Sequence, residues 1–93
     1  MTDKTTIHEQ LCNDIHELYV KKNNDYGDSF AKLRQDYPES ICIRLQDKMN
    51  RLKSLMVDKN QQKVDESIDD TLMDIANYAI MELTERRYEK DHE

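Results

Sequence analysis

The chain has 93 residues, 37% apolar and 37% charged, with a formal charge of −6, one Gly, one Pro and no Trp. That length gives room for a single domain, residues 1–93, with a thin core. The acidic balance excludes a protein that grips a nucleic-acid backbone, which needs a basic stripe, and the scarcity of Gly, Pro and aromatic residues argues for long charged helices over a sheet.

No apolar run approaches the ~18 residues of a membrane span, and the N-terminus lacks the signal-peptide pattern. Cys12 and Cys42 form no tight-spacing motif. Together these features predict a cytoplasmic protein with reduced thiols.

Thr6-Ile7-His8-Glu9 has the form of a capping box, with Thr6 as N-cap. Ile7, Leu11, Ile15 and Leu18 follow at helical spacing, which predicts a first helix over 5–22. His8, Cys12 and His16 also lie four apart on it. Three ligands along two turns of one straight helix converge poorly on a tetrahedral ion. They read as a half-buried flank, with Cys12 packed as a small hydrophobe.

Lys21 to Phe30 contains Asn23, Asn24, Asp25, Gly27 and Asp28, residues that end a helix, and Gly27 suits a positive φ. Asp28 or Ser29 can cap a short helix near 29–36. In one reading this is a turn whose Tyr26 and Phe30 plug the core. In the other, the loop presents Lys21, Asn24, Asp25 and Tyr26 to a ligand.

Pro38 and Glu39 suit the first turn of a helix over 38–57. Ile41, Leu45, Met49, Leu52 and Met56 form its core stripe, flanked by Arg44, Asp47, Lys48 and Arg51. Asp47 and Arg51 can make an i, i+4 surface pair worth ~0.3–0.5 kcal/mol. The same flank also suits a cleft.

After a polar connection, a third long helix is predicted over 64–87. Ile68, Leu72, Ile75, Ala79 and Leu83 form its apolar face. Glu66, Asp70 and Asp74 lie four apart on the opposite side, among Met73, Asn77 and Met81, and no Lys or Arg occurs between Lys63 and Arg86. One reading is a solvated acidic face. The other is a set of carboxylates for a hard cation such as Mg²⁺, which leaves positions open for water and phosphate oxygens. A helix apolar on two sides, with a thin core, points to a homo-oligomer, a dimer or tetramer through the central and last helices.

Three blocks carry a resemblance: Lys21-x-Asn23-Asn24-Asp25-Tyr26-Gly27-Asp28-Ser29-Phe30; Arg44-Leu45-x-Asp47-Lys48-x-x-Arg51-Leu52-x-x-Leu55; and Glu66-Ser67-Ile68-x-Asp70-Thr71-Leu72-x-Asp74-Ile75-Ala76-x-Tyr78-Ala79. In this order they resemble the phage and bacterial family called nucleotide modification associated domain 1. The last block is also similar to the metal-binding helix of MazG-type all-α nucleoside triphosphate pyrophosphatases. In those, acids on two helices hold Mg²⁺ and water attacks the triphosphate. Asp74 matches the final Asp of their pattern, whereas Thr71 stands where it has Glu, and only Asp47 lies near the acids of the preceding helix.

The expectation is therefore an all-α bundle of three main helices plus a short one, with MazG-like association into oligomers. Its expected role is handling nucleotides in a phage or mobile element, possible chemistry being Mg²⁺-dependent phosphohydrolysis. Glu66, Asp70, Asp74 and Asp47 are the expected metal ligands. Lys21, Asn24, Asp25, Tyr26, Arg44, Lys48 and Arg51 are the expected nucleotide contacts. The alternative is a non-catalytic helical interaction module, in which the acids pair with Arg44, Lys48 and Arg51 across a subunit interface.

Overall fold

The computed structural model describes residues 3–26, 28–57 and 61–93, with the side chains of 25, 26 and 61–66 outside that description. Four helices follow in order: α1 (Lys4–Tyr26), α2 (Ser29–Asp36), α3 (Ser40–Val57) and α4 (Gln61–Asp91). The fold is all-α, with no strand among the described residues. No described helix is long and apolar enough to cross a membrane.

α1 starts one turn earlier than the capping-box reading places it. Asp3, not Thr6, is the cap: its Oδ1 accepts the Thr6 amide at 2.8 Å, and its carbonyl accepts the Ile7 amide at 3.1 Å. The Thr6 amide holds the Asp3 carboxyl below its ordinary range, helped by the Thr6 hydroxyl. The helix then runs on through Asn23 and Asn24 to Tyr26. The predicted turn at Gly27 lies outside the described residues. Asp28 occupies the N-cap position of α2 but makes no side-chain capping bond. Pro38 and Glu39 lie in a turn ahead of α3, where the Tyr37 carbonyl accepts the Ser40 amide at 2.9 Å.

α3 and α4 form the principal pair, with α1 laid against α4 and α2 against α3. A bidentate ion pair also ties α2 to α4. Arg34 Nε donates to Glu82 Oε1 at 3.0 Å and its NH2 group to Oε2 at 2.8 Å, while NH1 reaches Glu89.

The inner face of α4 matches the predicted apolar one only in part: Ile68 and Ile75 lie on it, whereas Leu72, Ala79 and Leu83 do not. Thr71 and Asn77 are buried, and Ser67, Ile68, Asp74, Ile75, Tyr78, Met81, Glu82 and Glu85 are half-buried. Leu72, Ala79 and Leu83 face solvent, with Leu72 46% and Leu83 55% exposed. On α3, Met49 and Met56 are likewise exposed, whereas Arg44 and Lys48 turn inward beside Ile41, Leu45 and Leu52. On α1, residues 3–14 are exposed throughout, Ile7, Leu11 and Cys12 included. Ile15 is the one buried apolar side chain among the described residues, at 8% exposure. Polar groups therefore share the interior of the helix pair, and much of the apolar surface stays outside.

Candidate functional site

A cavity of about 250 Å³ opens where the four helices meet. α4 supplies Asp74, Asn77, Tyr78 and Met81, and α3 supplies Arg44 and Lys48. α1 adds Tyr19, Lys22 and Asn23, and α2 adds Ser29 and Phe30. Each set is a helical face: Tyr19, Lys22 and Asn23 stand at i, i+3 and i+4, and Arg44 and Lys48 at i and i+4.

Tyr78 sits at the centre. The Arg44 guanidinium carbon lies 5.4 Å from its ring centroid, and Arg44 NH1 donates to the Tyr78 hydroxyl at 3.1 Å. The Phe30 ring lies 6.4 Å from that of Tyr78, tilted by 33°. Beside this stack, Lys48 Nζ is 3.1 Å from Asp74 Oδ2. Asn77 is only 7% exposed and lines the same space. Lys22, Arg44 and Lys48 are opposed by the single carboxylate of Asp74, so the lining is net positive in a chain of charge −6.

Towards the C-terminal end of α4 the electrostatics change. Burial, then the nearby Asp28, pushes the Glu85 carboxyl up. Burial, then Glu85 and Asp28, pushes up the Tyr19 hydroxyl. Glu82 moves the opposite way, because its hydrogen bonds from Arg34 stabilise the charged form.

Among the described residues, the expected metal ligands Asp47, Asp70 and Asp74 do not share the cavity. Asp74 faces the cavity, whereas Asp70 and Asp47 are exposed and absent from its lining. The Glu66 side chain lies outside the described residues. Geometry explains the split within α4. Residues four apart advance about 40° around a helix of 3.6 residues per turn, so a column spaced by four drifts. Asp70 stays outside while Asp74 reaches the inner face. Among the described residues no group of three or more His, Cys, Asp or Glu side chains is placed to share an ion. On α1, the Cys12 thiol lies 3.8 Å from His8 Nδ1 on an exposed face. Thr71, at the position where the pyrophosphatase pattern has Glu, is 2% exposed and donates its hydroxyl to the Ser67 carbonyl at 2.7 Å.

Of the expected nucleotide contacts, Arg44 and Lys48 line the cavity. Arg51 is exposed one turn beyond it. Lys21 and Asn24 are exposed and point elsewhere, while their neighbours Lys22 and Asn23 take the lining positions. Reading this stretch as a loop leaves its side-chain directions open. Because α1 continues through it, each residue turns about 100° from the last, and the face of Tyr19 selects Lys22 and Asn23. The side chains of Asp25 and Tyr26 are outside the described residues. Asn77 was legible only as a neighbour of the acidic column, and Tyr78 only as part of the third resemblance block. The signal that marks them is their i+3 and i+4 spacing from Asp74.

Neither Asp70 nor Asp74 pairs with arginine among the described residues. The bidentate arginine of this fold serves Glu82 instead.

No curated protein and no solved structure matches the chain. The family model described as nucleotide modification associated domain 1 matches residues 22–85. The match runs from Lys22 at the cavity mouth, through the Arg44 and Lys48 face, to Glu85. The chain belongs to the nucleotide modification associated domain 1 family.

Proposed function

We propose that the chain is a nucleotide-handling protein that binds a nucleotide in the cavity between α1, α3 and α4. The observation that carries the reading is the reversal of charge: an acidic protein concentrates Lys22, Arg44 and Lys48 around one cavity. Cations in a partly dry site favour a phosphate, and an arginine can hold one through two parallel hydrogen bonds. Tyr19, Phe30 and Tyr78 offer aromatic faces for a base, and the amide of Asn77 carries both a donor and an acceptor for its edge. The family description agrees with a nucleotide ligand. A cytoplasmic setting in a phage or mobile element, where Cys12 and Cys42 stay reduced, fits this role.

A second reading is Mg²⁺-dependent phosphohydrolysis, favoured by the position of Asp74 at the cavity. One carboxylate with bound phosphate and water is the least set that Mg²⁺ uses. Here that carboxylate is engaged by Lys48. The donor set is short of a resident ion site, and no step is derived through the metal. The alternative is the non-catalytic interaction module, whose acids pair with Arg44, Lys48 and Arg51 across a subunit interface; within the chain, Lys48 already engages Asp74.

The test is a panel of canonical and modified nucleoside mono-, di- and triphosphates, with and without Mg²⁺, read by thermal shift and product analysis. A ligand at ten times its Kd stabilises the fold by about 1.4 kcal/mol. In a domain of this size that raises Tm by roughly 6–11 °C. No shift with any nucleotide at millimolar concentration overturns the binding reading. A shift without turnover removes only the hydrolase.

A further inference from the structure

The outward face of α4 carries a regular row. Asp69, Leu72, Ala76, Ala79, Leu83 and Arg86 follow at intervals of three, four, three, four and three residues. That is the a/d spacing of a two-helix seam. All but the half-buried Ala76 are exposed. We propose that this face is an interface between two copies of the chain, with the two α4 helices packed antiparallel about a two-fold axis passing between Asn77 and Tyr78.

Three observations select a second copy as the occupant. The first is area. A chain of 11.1 kDa folded on itself exposes roughly 5,700 Å², and this one exposes 7838 Å², about 2,100 Å² more. A standard interface removes about 800 Å² from each partner, well within that excess. The radius of gyration agrees: it is 15.4 Å against roughly 12 Å for a compact chain of this length.

The second is self-complementarity. The row is near-palindromic in size about its centre. Antiparallel pairing sets Leu72 against the partner's Leu83 and Ala76 against the partner's Ala79. Small residues at the middle let the two backbones approach, and the leucines close each end. A two-fold contact needs a patch that complements itself in this way.

The third is charge. The same register sets Asp69 at one tip against the partner's Arg86 at the other, twice per dimer. A parallel pairing would instead place Asp69 beside the partner's Asp69 and Arg86 beside the partner's Arg86, a repulsion that disfavours it. The seam lies on the side of α4 away from the cavity, so the inference does not depend on which ligand the cavity takes.

Sedimentation equilibrium of the full chain at tens of micromolar tests it. The wild type is expected to sediment as a dimer. Ala79→Glu places two carboxylates in the closest part of the seam and is expected to weaken dimerisation at least a hundredfold. Position 79 is exposed, so helicity by circular dichroism should be unchanged. Asp69→Arg alone and Arg86→Asp alone should each weaken the dimer about tenfold, and the double variant should regain most of that loss. A monomeric wild type overturns the proposal. So does a dimer indifferent to Ala79→Glu, or one weakened by Leu11→Glu on α1 instead, or a charge reversal without recovery in the double variant.

Discussion

Arg34 and Glu82 join α2 to α4 through two parallel hydrogen bonds of 3.0 and 2.8 Å, with side chains only 12% and 16% exposed. α2 has no buried residue of its own. The clamp joins the half-buried Phe30, Ala31 and Leu33 in seating this helix. Arg34→Ala leaves Glu82 half-buried without its partner and is expected to cost about 2–3 kcal/mol. Chemical denaturation should show that loss, and Arg34→Lys should recover only part of it, because a lysine cannot match both carboxylate oxygens.

The same pair sets an acid-side dependence. The folded-state pKa of Glu82 is depressed, chiefly by the Arg34 hydrogen bonds. Its stabilisation is therefore full above the unfolded value of about 4.3 and fades as pH falls through the folded value. Glu85 has the opposite sign, since burial raises its pKa. It destabilises the fold at neutral pH and is relieved as pH falls through the raised value. Glu85→Gln should raise Tm at pH 7 and lose that advantage in mild acid. Glu82→Gln should lower Tm at pH 7 and converge with the wild type as pH falls through the depressed folded value. Melting curves from pH 3 to 8 check both.

At the cavity, Lys48 and Asp74 make a single contact of 3.1 Å. Phosphate binding uses the lysine and is opposed by the acid. Lys48→Met is expected to weaken nucleotide affinity roughly tenfold or more. Asp74→Asn removes one negative charge from the lining and should tighten it roughly two- to fivefold. Titration calorimetry without Mg²⁺ reads both. If Asp74→Asn instead weakens binding, and does so only when Mg²⁺ is present, Asp74 serves an ion.

Thr71 is packed, and its hydroxyl is satisfied by the Ser67 carbonyl. Thr71→Val keeps the shape and removes the hydrogen bond, so it should cost about 1 kcal/mol. Thr71→Glu would restore the acid of the pyrophosphatase pattern but places a larger, charged side chain in a filled position. It should cost more than about 3 kcal/mol, and reduced Tm with no gain in metal affinity is the expected result.

The helices were legible because helical periodicity needs only the local sequence. α2 is expected near 29–36 and found at Ser29–Asp36. The ends were less so. Asp3 and Thr6 are both good caps, and the sequence alone does not choose between them. Which face of α4 turns inward was also hidden. Leu72, Ala79 and Leu83 look like core because they are apolar, yet α3 packs on the face of Thr71, Asp74 and Tyr78. Periodicity locates a stripe but does not say whether the chain itself or something else covers it. The cavity was half legible for a similar reason. Arg44 and Lys48 stood out by charge and spacing, while Lys22 and Asn23 depended on α1 continuing to Tyr26.

One wall of the cavity is built from α2, a helix of 8 residues with no fully buried side chain and a single ionic clamp. Such a segment sits at the low end of the local unfolding free energies within a fold. Access for a ligand therefore need not await opening of the α3–α4 pair. Loss of the Arg34–Glu82 pair is expected to loosen α2 before the α3–α4 pair opens. A nucleotide bound in the cavity is then expected to slow hydrogen exchange of the α2 amides, which native-state exchange measures.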